Sequence, residues 1–116
     1  MAQFKSLFVH APAAETVTGQ SPDIASQGID GVAVDINVTA MSGTSPTLTA
    51  SIQRKGADGV WYTIWTGTAI AANGSQSVTI GAGCEVNKAL PNMLRLVWTL
   101  GGTTHNITFS ASVQGF

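Results

Sequence analysis

The 116-residue sequence has little charge: Asp, Glu, Lys and Arg make up 9% of it, against about a quarter in an average globular domain. Among the five basic residues, only Arg54 and Lys55 are adjacent, and the formal net charge is −1. Binding to nucleic acid or to an anionic membrane requires a basic stripe, and none is present. A surface with so little charge hardly repels a neighbouring molecule, which indicates a protein that works within an assembly.

Cysteine is nearly absent. Because Cys84 is the only one, no disulfide can form within the chain, and the fold has to be stable without one. No apolar run approaches the ~20 residues that span a bilayer. The N-terminal residues 1–15 lack the apolar core of a secretion signal. We therefore expect a single domain that folds in a cytoplasm.

Residues able to carry catalysis are few and scattered. His10 and His105 lie near opposite ends of the chain, and neither has a partner at a spacing typical of a metal site. Asp23, Asp30 and Asp35 could meet in space around Ca²⁺, but their spacing matches no known calcium loop. No serine or threonine stands in a nucleophile motif. The sequence predicts a protein that is not an enzyme and uses no metal or cofactor.

Much of the sequence consists of apolar residues that alternate with polar ones, which is typical of half-buried β-strands. The clearest alternating segments are residues 32–41, 47–53, 94–100 and 105–114. SGTSP at 42–46 and GG at 101–102 are turn sequences, and they predict hairpins between the flanking strands. About seven to eight such strands predict an all-β fold, an antiparallel β-sandwich of Ig-like or jelly-roll type.

The N-terminal segment differs from the rest of the chain. In residues 1–24 the alternation is weak, and Pro12 and Pro22 interrupt regular structure. This segment is either an arm or a first strand, and residues 25–116 form the β-sandwich domain.

Aromatic residues are concentrated in one strand, VWYTIW at 60–65. Both faces of this strand are apolar, so either it is covered on both sides or a bulge changes its phase. Trp61, Tyr62 and Trp65 are the best candidates for a binding surface, because sugar-binding β-sandwiches stack sugar rings on exposed aromatic side chains. Aromatic residues in a small sandwich more often form core or a subunit interface, and both interpretations stay open.

Two stretches carry a resemblance to a known group of proteins. They are GIDGVAVDINVTAMSGTSPTLTASIQRKGADGVWYTI at 28–64 and NMLRLVWTLGGTTHNITFSASV at 92–113. Both resemble segments of small β-sandwich proteins encoded among phage head and tail structural genes, and the resemblance covers residues 28–115. The matching positions are Ser42 to Leu48, Asp58, Gly59, Trp61, Arg95 and Thr108 to Val113.

The resemblance implies a bacteriophage virion structural protein, foremost a capsid decoration (cement) protein that binds and stabilises the head shell. It implies a homo-oligomer, preferably a homotrimer, whose partners are the major capsid protein or other virion proteins. The capsid-contacting parts would be the loops and the N-terminal arm, residues 1–24, with Phe4, Leu7 and Phe8. The alternatives are a neck or tail component, or a carbohydrate-binding or adhesion module of the same sandwich type.

Overall fold

The computed structural model describes residues 5–26, 28–90 and 93–116, without the side chain of Thr104. These residues form β-strands joined by loops, so the predicted all-β class is confirmed. No helix long and apolar enough to cross a membrane occurs in the described part of the chain. The strands are β1 (Lys5–Glu15), β2 (Gly19–Gln20), β3 (Ile24–Ala25), β4 (Gly31–Lys55), β5 (Trp61–Thr66), β6 (Gly74–Gly81), β7 (Val86–Asn87) and β8 (Met93–Gly115).

The two longest strands, β4 and β8, pair with each other in antiparallel register along almost their whole length. Val32 lies opposite Gly115 at one end, and Arg54 lies opposite Leu94 at the other. A straight strand with the 25 residues of β4 would span ~80 Å at ~3.3 Å per residue. The longest dimension of the molecule is only 41 Å. The β4–β8 ribbon therefore has to fold back on itself.

The ribbon folds where its register is irregular. Register shifts interrupt the β4–β8 pairing three times between Val38 and Thr47. The backbone φ angle is positive at Gly43 (117°), Ser45 (50°) and Gly102 (95°) in this region. A regular strand requires a negative φ, so these residues end the regular pleat. We call residues 39–46 and 102–106 the corner.

The corner divides the ribbon into two halves, and each half carries its own flanking strands. In the first layer, residues 107–115 of β8 pair with β1, and residues 31–38 of β4 pair with β6, which β7 extends. In the second layer, residues 93–101 of β8 pair with β2 and β3, and residues 47–55 of β4 pair with β5. One core contains side chains from both layers, so the arrangement is sandwich-like, as predicted.

The core follows from the alternation seen in the sequence. On each long strand the apolar residues point inward and the polar residues between them point outward. Full burial of a Val, Leu, Ile or Phe side chain stabilises the fold by about 1.5–3 kcal/mol. The inward residues of the ribbon are Val32, Val34, Ile36, Val38, Leu48, Ala50, Ile52, Leu94, Leu96, Trp98, Leu100, Ile107, Phe109, Ala111 and Val113.

The prediction of hairpins at 42–46 and 101–102 is wrong. Residues 31–38 and 47–55 do not pair with each other, because each segment pairs with a different half of β8. The turn residues were identified correctly, and their physical role is different. Positive φ angles and Pro46 bend two paired strands together at the corner, whereas a hairpin would reverse one strand upon itself.

The N-terminal segment contributes a strand to the first layer. Residues 5–15 form β1, which pairs with β8 from Lys5 opposite Gly115 to Glu15 opposite Ile107. The pairing is interrupted between Ser6 and Phe8 and again between His10 and Ala13. The second interruption contains Pro12, which cannot donate a backbone hydrogen bond. β1 is thus an edge strand with two bulges.

Candidate functional site

The aromatic strand β5 contains a bulge, one of the two alternatives that its sequence left open. Ile52 of β4 lies opposite Trp65, and the next residue of β4, Gln53, lies opposite Thr63. Ile64 is therefore the extra residue, and the phase of β5 changes there. Ile64 is buried, and Trp65 packs against the hydrophobic core. The bulge thus separates Trp65, which packs inward, from Trp61.

Trp61 lies on the outer face of the second layer, beside side chains from two other strands. Its direct neighbour on β4 is Lys55. Gln53 is the next residue on the same face of β4, and it lies opposite Arg95 of β8. The guanidinium carbon of Arg95 lies 4.3 Å from the centre of the Trp61 ring, and the Lys55 ammonium nitrogen lies 5.9 Å from it. The Arg95 Nε–H donates to Gln53 Oε1 at 2.7 Å. We call Gln53, Lys55, Trp61 and Arg95 the Trp61 cluster.

Tyr62 points to the other side of β5 and belongs to a second, smaller group. Its hydroxyl donates to Asp58 Oδ2 at 2.5 Å, and the Val60 N–H donates to Asp58 Oδ1 at 2.9 Å. The Arg54 guanidinium lies 5.0 Å from the centre of the Tyr62 ring. The Tyr62 hydroxyl, with the Val60 N–H, holds the pKa of Asp58 below its usual value. The Asp58 carboxylate raises the pKa of Tyr62 in turn.

The basic side chains in these two groups form no salt bridge with a described residue, although the Asp58 carboxylate acts electrostatically on Arg54. Three of the five basic residues, Arg54, Lys55 and Arg95, lie in them. Within residues 5–26, 28–90 and 93–116, no carboxylate lies within 4 Å of these three side chains. The whole chain carries a net charge of −1, whereas this end of the second layer carries a net positive charge.

A contact between an imidazole and a carboxylate lies instead in the first layer, between His10 and Glu15 of β1. His10 Nε2 is 3.0 Å from Glu15 Oε1, and His10 Nδ1 is 3.2 Å from the carbonyl oxygen of Phe109. Both facing oxygens are acceptors, so both contacts are hydrogen bonds when each ring nitrogen of His10 carries a hydrogen. The imidazole also stacks on the Phe109 ring at 4.4 Å. His10 therefore attaches β1 to β8.

A groove of about 450 Å³ lies on the outer face of the first layer. The groove runs beside residues 9–12 of β1, where the pairing of β1 with β8 is interrupted between His10 and Ala13. Two rows of small polar side chains cross its floor in register: Ser112, Asp35 and Ser77 in one row, and Ser110, Asn37 and Ser75 in the next. Val9, which is 62% exposed, stands at its rim.

The remaining predicted site residues lie elsewhere. Phe4 is outside the described residues, and Leu7 and Phe8 are half-buried and pack against the core of the same chain. Among residues 5–24, the exposed large apolar side chains are those of Val9 and Val17 instead. Among the described residues, no three His, Cys, Asp or Glu side chains come together in a group that could hold a metal ion. Asp23, Asp30 and Asp35 are thus not brought together.

Two parts of this site were not found by reasoning from the sequence. Arg95 and Gln53 join Trp61 only through the pairing of three strands, and no local motif shows that register. The His10–Glu15 pair could have been anticipated from Pro12, which favours a bulge in a strand. Alternate strand residues share a face, and one extra residue at Ala11 and Pro12 places Glu15 on the same face as His10.

Comparison of the chain with protein-family models and with curated proteins finds no match.

Proposed function

We propose that this chain is a non-enzymatic structural protein of a bacteriophage particle, foremost a capsid decoration protein that binds and stabilises the head shell. The resemblance of residues 28–115 to phage head and tail proteins supports the proposal. The structural observation that supports it is the outer face of the first layer, where small and mostly uncharged side chains form the floor of a groove.

The face suits association because it carries little charge and only short side chains, whose hydroxyl and amide groups can form hydrogen bonds with a facing copy. Its two rows contain four serines, one asparagine and the single carboxylate of Asp35. The buried centres of protein interfaces are likewise depleted in charge. Short side chains also let a second backbone approach closely. We propose that this face is buried between copies of the chain in a homo-oligomer, a trimer by preference.

A decoration protein of this kind acts by adding buried surface at the joints of the shell. Burial of apolar surface contributes about 25 cal/mol per Å², and a standard protein contact buries ~800 Å² on each partner. Such a contact is repeated at every equivalent position of a shell, so a modest local contribution becomes a large total. The major capsid protein is the proposed partner.

Mass measurement in solution tests the oligomer, and sedimentation with particles tests the partner. We expect the purified chain to have the mass of three copies and to sediment with particles from which it was removed. Ser112→Arg places a long charge on the proposed contact face and is expected to give monomers. Thr99→Arg, on the outer face of the second layer of the same strand, is the matched control and should leave the trimer intact. A wild-type chain that is monomeric at all concentrations and stays in the supernatant would contradict the proposal.

Exposure of Tyr62 favours a second candidate function, a carbohydrate-binding or adhesion module. Tyr62 is 42% exposed and Trp61 is half-buried, so both rings could meet a sugar. Each ring already has a cation near it, Arg54 beside Tyr62 and Arg95 beside Trp61. This arrangement leaves less ring surface for a sugar and makes this function the second choice. Binding to a glycan array that Tyr62→Ala abolishes would establish it over the first.

A further inference from the structure

We infer that the Trp61 cluster is the surface with which this protein binds an acidic surface of its shell partner. The inference rests on the proposed function, because it names the face and the chemistry of the contact with the shell. It also assigns the two outer faces different roles. The first layer meets other copies of the chain, and the second layer meets the shell.

The composition of the cluster is that of the residues that dominate binding energy in protein interfaces. Trp, Tyr and Arg are enriched at such positions, where a rigid aromatic side chain is surrounded by polar contacts. Trp61 and Arg95 are in contact here, with Lys55 beside them and with Arg54 and Tyr62 around the edge of β5. The remainder of the described surface carries no comparable group of aromatic and basic side chains.

The cluster is held in place before any partner arrives. Trp61, Gln53 and Arg95 stand on three adjacent strands of one sheet. Arg95 is fixed twice, by the hydrogen bond from its Nε–H to Gln53 Oε1 and by its contact with the Trp61 ring. The Nε–H is thus engaged, and the two terminal nitrogens can donate in parallel to a carboxylate. An arrangement fixed in advance loses little conformational entropy on binding.

The charge of the cluster selects the partner. Lys55 and Arg95 have no carboxylate within 4 Å among the described residues. Asp58, the acidic group at this end of the layer, accepts hydrogen bonds from the Tyr62 hydroxyl and the Val60 N–H and acts electrostatically on Arg54. One carboxylate offsets only part of three positive charges, and an acidic protein surface would complement the charge of Lys55 and Arg95. A nucleic acid fits less well, since neutralising a run of phosphates requires more cations than this cluster has.

Charge reversal tests this surface directly. Particles stripped of the protein are mixed with purified chain, and the bound fraction is measured by sedimentation at several chain concentrations. We expect Arg95→Glu and Lys55→Glu to weaken binding by about tenfold or more, as the loss of an interfacial charge pair does. Lys88→Glu makes the same charge change at an exposed position after β7, and it should bind like the wild type. Binding of the wild type should weaken as salt is raised.

Several results separate the possible failures. Each variant is checked for an unchanged melting temperature and an unchanged mass in solution. If Arg95→Glu does not fold, Arg95→Gln replaces it, because this substitution removes the charge without reversing it. Wild-type binding that neither Arg95 nor Lys55 variants weaken would overturn this inference and leave the proposed function standing. Absence of wild-type binding would overturn both. Binding of the cluster to free DNA or to glycans in preference to stripped particles would overturn the choice of an acidic protein partner.

Discussion

The ring centres of Trp98 and Phe109 lie 5.7 Å apart, although the two residues belong to one strand and are eleven positions apart in sequence. In a straight strand these residues would be separated by ~36 Å at ~3.3 Å per residue. The contact is possible because β8 turns at the corner and brings its two halves face to face. This contact is therefore one of those that join the two layers within the common core.

Phe109 should be among the residues on which stability depends most. Its side chain is 1% exposed and contacts both His10 and Trp98. Removing a buried phenylalanine ring costs about 3–5 kcal/mol of unfolding free energy, so Phe109→Ala is expected to lose that amount in a urea titration. Val9→Ala, at a position that is 62% exposed, should change stability by less than about 0.5 kcal/mol. Equal losses for the two variants would contradict the packing described for the core.

Gly102 at the corner should tolerate no side chain. Its φ angle is 95°, and a Cβ there would meet the backbone oxygens of Ser45 and Thr44. Gly59 has a similar φ of 82° with nothing within 4 Å of a Cβ. A substitution there therefore measures the cost of the positive φ alone, without a steric clash. We expect Gly59→Ala to cost about 1–2 kcal/mol and Gly102→Ala to cost clearly more, as measured by thermal unfolding. A smaller cost at Gly102 than at Gly59 would show that the corner is not this closely packed.

The strands could be predicted from the sequence, but the path of the ribbon could not. Alternation of apolar and polar residues identified the inward faces of residues 32–38 and 94–100 correctly, because burial on one face alone sets that pattern. Turn residues were also located correctly at 42–46 and 101–102. A bend of two paired strands and a hairpin use the same residue types, since both require positive φ angles. Only long-range pairing distinguishes them, and it leaves no local signal.

Tyr62 is the only tyrosine of the chain, so ultraviolet absorbance follows its titration directly. The hydrogen bond to Asp58 raises the pKa of Tyr62, and the titration midpoint is expected above the usual value. Asp58→Ala removes the acceptor and should lower the midpoint toward that value. Glu85→Ala removes a carboxylate elsewhere and should leave it unchanged. Coincident titration curves for the wild type and Asp58→Ala would contradict the contact.

The same contact gives Asp58 a defined pH dependence. Because the Tyr62 hydroxyl lowers the pKa of Asp58 in the folded chain, ionised Asp58 favours folding. This contribution is present above the unfolded pKa of Asp58 and is lost as the pH falls through the folded pKa. Tyr62→Phe should therefore raise the pKa of Asp58 toward its usual value, as measured by NMR of the carboxyl carbon. An unchanged Asp58 titration in Tyr62→Phe would show that the hydroxyl has no such effect.

The His10–Glu15 pair should hold β1 against β8. Glu15→Ala removes the partner of His10 Nε2, and partly exposed ion pairs of this kind contribute about 1 kcal/mol or less. We expect amide hydrogen exchange of residues 9–14 to become ~3–5-fold faster as local opening becomes easier. The β6 amides are the internal control and should exchange at unchanged rates. Unchanged exchange in residues 9–14 would mean that His10 attaches β1 through its contacts with Phe109 and not through Glu15.

The candidate site was predictable only in part. Trp61, Tyr62 and Trp65 stood out because three of the eight aromatic residues of the chain lie within five positions. The possibility of a bulge followed from apolar residues on both faces of this strand. The positions of Arg95 and Gln53 beside Trp61 depend on the pairing of β5 with β4 and of β4 with β8. Such register is fixed by the fold as a whole, and no spacing within the sequence shows it.

Electron microscopy of particles with and without this protein tests the proposed decoration of the head shell. We expect additional density on the outside of the head shell, repeated at equivalent positions, in particles that contain the protein, with the second layer and Trp61 facing the shell. Particles that lack the protein should have bare shells at those positions and should open at lower temperature. Density confined to the neck or tail would place the protein elsewhere in the virion and contradict the decoration role. Particles that are identical with and without the protein would contradict the account as a whole.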